Sequence, residues 1–206
     1  MPTVALPALV AHAAAALLIA SVPVAAWFWL RRRFGLAWRD IGVGAAVFVV
    51  FALVLERTLH LYLLQLNPTT AHWLRMPALF VIYGALMAGV FEESGRWLGL
   101  RFLVRKPGDA ATPVAYALGH AGIEAWLVGA ASQAQMVMFG LAANRGELES
   151  RLAASGAAAM VGTIHAMLAQ LSPWLALGAV SERVAAMLIQ LAGCAVPGAC
   201  AAAGGN

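Results

Sequence analysis

Residues 76–104 read MPALFVIYGALMAGVFEESGRWLGLRFLV. The stretch opens with Met76-Pro77, and proline is well suited to the first turn of a helix. It then runs uncharged to Phe91 before meeting Glu92, Glu93 and Arg96. A run of this length crosses a hydrocarbon layer of about 30 Å as a helix. A charged side chain at the centre of such a helix costs about 2.5–3.5 kcal/mol, so the three together would cost about 8 kcal/mol if central and unpaired. Each large apolar residue returns only about 0.3–0.6 kcal/mol. The charges must therefore be paired, face the interior of a bundle, or lie near an interface.

The sequence on either side has the same character. Of 206 residues, 63% are hydrophobic and 11% charged, with a mean hydropathy of +0.83. Soluble domains carry about 25% charged residues. We expect an all-α protein, a polytopic transmembrane helical bundle of about five to six spans, forming a single integral membrane domain over 1–206. The first span covers 4–30 and ends on Trp27-Phe28-Trp29 and Arg31-Arg32-Arg33. Aromatics beside a basic cluster mark a cytoplasmic interface, which puts the N-terminus outside a multi-pass protein of the cell membrane. Its apolar run is long and lacks a basic leader, unlike a cleaved signal peptide. The second span is 41–64, followed by a turn at Asn67-Pro68. The third covers 76–104, and Arg101 with Arg105-Lys106-Pro107-Gly108-Asp109 forms a second cytoplasmic loop. The fourth covers 112–140, and a polar stretch at 144–155 follows it. Residues 156–180, broken at Ser172-Pro173, are either a span or an interfacial segment, and a last apolar stretch starts at Glu182-Arg183. The net charge of +4 comes from short clusters between apolar runs. That is topology information rather than a nucleic-acid surface, so the bilayer is the expected partner and no nucleic acid is.

The chemistry concentrates on two helices. Glu92 and Arg96 are four apart and share a face, whereas Glu93 is turned about 100° away. One glutamate can be held by the arginine while the other addresses something else. On the next span Tyr116, His120 and Glu124 recur every four residues and line one face. With the turn centred near Gly108, the depths of Glu92 and His120 differ by only about 6 Å. A hairpin would bring Glu92 or Glu93 close to His120, and Gly119 and Gly122 would permit close helix approach. A glutamate and a histidine so placed can activate water, the carboxylate as base and the imidazole against a carbonyl oxygen. Alternatively, they can hold a metal that activates it. No HExxH run is present. Glu56-Arg57 and Glu182-Arg183 read as structural pairs near span ends, His12, His60 and His72 as interfacial, and Cys194 and Cys200 as packing residues. His165 lies in the undecided segment.

FEESGRWLGLRFL (91–103) followed by AYALGHAGIEAWLVG (115–129) resembles the YhfC family of intramembrane proteases, placed with the CAAX-protease and bacteriocin-processing superfamily. The superfamily pattern is EExxR on one helix, an aromatic-xxx-His on the next, and a later histidine motif. Glu92, Glu93 and Arg96 match the first element, Tyr116 and His120 the second. Similarity is clearest over 76–130 and extends over 41–200. The resemblance implies a glutamate-dependent peptidase acting on a membrane protein or peptide substrate, in or next to the membrane. Glu92 would activate water, Glu93 and Arg96 would position the site, and His120 would stabilise an oxyanion. Tyr116 and Glu124 would support it. It also leaves a zinc ion open, with His120 and Glu92 as the candidate ligands. The late histidine motif is not evident before Asn206. Gln190 stands in the last helix instead, so the reading allows a C-terminal shortening relative to the family, with activity open for that reason.

Two other functions fit the same residues. In a proton- or ion-coupled transporter, the buried carboxylates would carry the ion. In a non-catalytic scaffold, the site would survive as a peptide-recognition groove.

Overall fold

The computed structural model describes residues 3–104 and 110–195. The loop Arg105–Asp109 and Cys200 lie outside the described residues. Among the described residues eight helices follow one another: α1 Leu6–Phe34, α2 Trp38–Leu66, α3 Pro68–Trp73, α4 Pro77–Leu103, α5 Ala111–Asn144, α6 Leu148–Ala154, α7 Ala158–Ala169 and α8 Pro173–Ala195. No strand occurs among the described residues. Five of the helices, α1, α2, α4, α5 and α8, are long and apolar enough to cross a membrane. The protein is an all-α, multi-pass bundle.

Helix ends follow local chemistry. The α1 terminus closes on Gly35, whose φ of 62° is a left-handed conformation that glycine adopts at no steric cost. Arg31 lies over the Trp27 ring at 4.5 Å, as an interfacial anchor should. Asn67 caps α3, accepting hydrogen bonds from the Thr69 and Thr70 amides, with Pro68 in the first turn. Pro77 opens α4 in the same way. Within the long helices, Val49–Glu56, Tyr62–Leu66, Gly99–Leu103 and Ala125–Ala130 take the wider π pattern.

The apolar segment at 156–180 does not form a span. The twelve residues of α7 reach only about 18 Å, short of the hydrocarbon thickness. The break falls at Ser172-Pro173, and α8 begins there because proline starts a helix more easily than it continues one. The last span therefore opens nine residues before Glu182. Glu182 and Arg183 sit in its interior, not near its end as their neighbourhood suggested.

The chain divides into two compact units. The first comprises Met1–Ala26 and Glu124–Leu188. Its core joins Val4, Ala8 and Leu9 to Ala142, Leu148 and Ile164. Asn144 binds both the amide and the carbonyl of Val4, at 2.7 and 2.9 Å. The Trp126 indole donates to the Ala20 carbonyl at 3.0 Å. His12, read as interfacial, is instead buried here, with Nδ1 2.6 Å from Gln133 Oε1.

The second unit comprises Trp27–Ile123 and Ile189–Asn206. Its core gathers Val47, Leu100, Val104, Tyr116, Ala117 and Cys194. Two glycines set how closely α2 and α5 approach. A Cβ on Gly119 would overlap the Ile41 carbonyl, and one on Gly44 would overlap the Tyr116 carbonyl. Backbone therefore lies on backbone along this seam. Gly119 does permit close approach, but its neighbour is α2.

Candidate active site

Unit two carries Glu92, Glu93 and Arg96 on α4, Tyr116 and His120 on α5, and Gln190 on α8. Arg96 Nη1 pairs with Glu93 Oε1 at 3.0 Å, across one turn of α4. The same guanidinium donates through Nη2 to Gln190 Oε1. Gln190 Nε2 in turn donates to Glu92 Oε2 at 2.9 Å. Gln190 is buried, and its two partly buried bonds tie α4 to α8, while the Glu93 end of the chain of bonds is exposed. Gly193, one turn further along α8, leaves room beside Arg96: a Cβ there would stand 3.1 Å from Nη1.

Tyr116 links α4 and α5. Its hydroxyl approaches the Gly95 carbonyl at 3.4 Å, and its ring packs where a Gly99 side chain would otherwise sit. Tyr116 is fully buried and His120 is 1% exposed. The His120 ring meets Phe48 edge-on, with ring centroids 5.1 Å apart, and lies beside Tyr116 at 6.1 Å. Neither His120 ring nitrogen has a hydrogen-bond partner among the described residues. A buried imidazole without a hydrogen bond is unfavourable by roughly 1–3 kcal/mol. Neither Glu92 nor Glu93 hydrogen-bonds to it.

Glu124 has a different environment. In unit one it pairs with Arg183 Nη1 at 2.6 Å, and Arg183 also binds Glu182. His165, outside the five long helices, lies 2.8 Å from Glu149, and that hydrogen bond holds the Glu149 carboxyl below its usual range. His60 is bonded on both nitrogens, to Glu56 at 3.2 Å and to the Tyr83 hydroxyl at 2.6 Å.

Catalytic zinc usually takes three protein ligands and keeps one position open. Among the described residues, no three His, Cys, Asp or Glu side chains converge on one point. The described donors thus do not make up a complete zinc site.

Ionisable groups linked across helices inside a membrane bundle define a multi-pass membrane protein with an intramembrane polar site. The chain matches the family described as YhfC intramembrane metalloprotease over residues 17–195. It belongs to the YhfC family. It is similar to the uncharacterized membrane protein YhfC of Bacillus subtilis (strain 168), with 37% identity over 131 residues, 64% of this chain and 51% of that protein. The chain thus spans about half the length of this curated relative. No solved structure matches.

Proposed function

We propose that this protein is an intramembrane peptidase that cleaves a peptide bond in or next to the membrane with water activated by Glu92. The observation that carries the reading is a carboxylate held across helices, Glu92 by Gln190 and Gln190 by Arg96, in the same unit as the unpaired His120. Glu92 takes a proton from water as its oxygen attacks the scissile carbonyl. A neutral His120 donates to the oxyanion that develops. Glu92 then returns the proton to the leaving amine. Arg96, shared between Glu93 and Gln190, fixes the orientation of the base. The family description supports proteolysis and a metal. The CAAX-type pattern supports the glutamate and histidine roles.

The test is a survey of new protein N-termini in membranes of cells expressing the wild type, Glu92→Gln or His120→Ala. We expect wild-type-dependent termini within or beside membrane spans, reduced at least about a hundredfold by either variant, the usual scale of general acid–base catalysis. Identical termini in all three samples would remove both residues from the mechanism.

The Glu124–Arg183 pair favours a second reading, ion-coupled transport, because charges inside spans often mark ion pathways. Proton flux into liposomes that Glu124→Gln abolishes would support transport over proteolysis.

A further inference from the structure

Arg57 lies within α2, nine residues before its end. With the helix centred in the bilayer, that is about 8 Å from the midplane and about 7 Å inside the hydrocarbon edge. Its side chain is exposed. It makes no hydrogen bond, ion pair or ring contact among the described residues. The neighbouring acid is engaged elsewhere: Glu56 accepts from His60, whose other nitrogen meets Tyr83 on α4. An unpaired arginine costs about 2.5–3.5 kcal/mol at a helix centre and less toward the edge, so at this depth it remains unfavourable unless it finds an anion or reaches the interface.

Arg57 also opens onto a shallow groove of about 630 Å³ along one face of α2, lined by Leu53, Val54, Leu61 and Leu64 together with Thr58, His60 and Gln65. The groove is therefore mostly apolar, with Thr58, His60 and Gln65 as its uncharged polar members and one guanidinium set within a side chain's reach of the headgroup layer. A lipid has the complementary form, a phosphate joined to a hydrocarbon chain. Free phosphate would match the cation but gain nothing from the leucine walls.

We propose that Arg57 and this groove form a binding site for one anionic phospholipid, the guanidinium gripping the phosphate while an acyl chain lies along the leucines. Arginine suits that task because its planar fork binds two phosphate oxygens at once. The site stands apart from Glu92 and does not depend on the peptidase reading.

Native mass spectrometry of the purified full chain in detergent tests it, with phosphatidylglycerol and phosphatidylcholine of identical acyl chains and with inorganic phosphate. The wild type should retain one phosphatidylglycerol about tenfold better than phosphatidylcholine, whose phosphate is already neutralised by its own quaternary ammonium, a difference on the scale of one charge-assisted interaction. Arg57→Gln should bring the two lipids to parity. Leu61→Trp, which fills the groove and keeps the charge, should weaken phosphatidylglycerol retention. Arg33→Gln, in the interfacial basic cluster, should leave the preference intact. The proposal is overturned if Arg57→Gln keeps the preference or if inorganic phosphate displaces the lipid. It is also overturned if Arg57→Gln abolishes a dimer peak without changing lipid retention, which would give the arginine to a second copy.

Discussion

Gln190 can satisfy its two neighbours in only one orientation. Arginine offers only donors and an ionised carboxylate only acceptors, so the amide must turn its oxygen to Arg96 and its NH2 to Glu92. Neither contact survives replacement by an apolar side chain. Gln190→Leu should destabilise the protein by about 1–3 kcal/mol, because buried polar atoms lose their partners. Thermal unfolding in detergent would measure it, and Gln190→Asn, one methylene shorter, should fall between. A wild-type melting curve for Gln190→Leu would show that the link contributes nothing to stability. The glutamates and Arg96 were legible in the sequence because charge in an oily run is conspicuous. Gln190 stood out only as the residue found where a late histidine was expected. Its bonds to Arg96 and Glu92 were not readable, because a single uncharged amide leaves no periodic or electrostatic signature. Sequence spacing likewise put His120 at a depth matching Glu92, but could not foresee a ring with both nitrogens unsatisfied.

At the scale of elements, the packing of α2 on α5 depends on two missing methyl groups. An alanine at Gly119 or Gly44 would run into carbonyl groups of the facing backbone, which cannot swing aside as a side chain can. Either substitution should cost about 1–3 kcal/mol or more through overpacking. Gly42→Ala, on α2 with Gly44 but with nothing within 4 Å, should be neutral or slightly stabilising. Comparing the three variants in one unfolding assay separates steric contact from general glycine effects. If Gly119→Ala and Gly42→Ala behave alike, the seam is not tight. Helix positions themselves were readable to within a few residues, since a hydropathic run sets its own length. The beginning of α8 was harder to read. Ser172-Pro173 could equally interrupt a span or start one. With α7 ending at Ala169, the same proline becomes a first-turn residue and carries Glu182 and Arg183 into the span interior, where Arg183 meets Glu124.

For the whole molecule, the distribution of arginine predicts an orientation. Arg31, Arg32 and Arg33 close α1, and Leu36 lies in the turn that follows. Ala71 belongs to α3, at the other end of α2. With the N-terminus outside, Ala71 faces out and Leu36 faces the cytoplasm. In a background with Cys194 and Cys200 replaced by alanine, Ala71→Cys should react with an impermeant thiol reagent on intact cells. Leu36→Cys should react only after permeabilisation. The reverse pattern would invert the topology.

The α2–α5 seam bears on how a substrate gains entry. Neighbouring extended chains need roughly 5 Å of lateral room. Where the Gly119 and Ile41 backbones touch, the wall is shut to a polypeptide. A peptidase built on this unit must have its doorway elsewhere on the unit's perimeter, with the glycine seam as its fixed jamb.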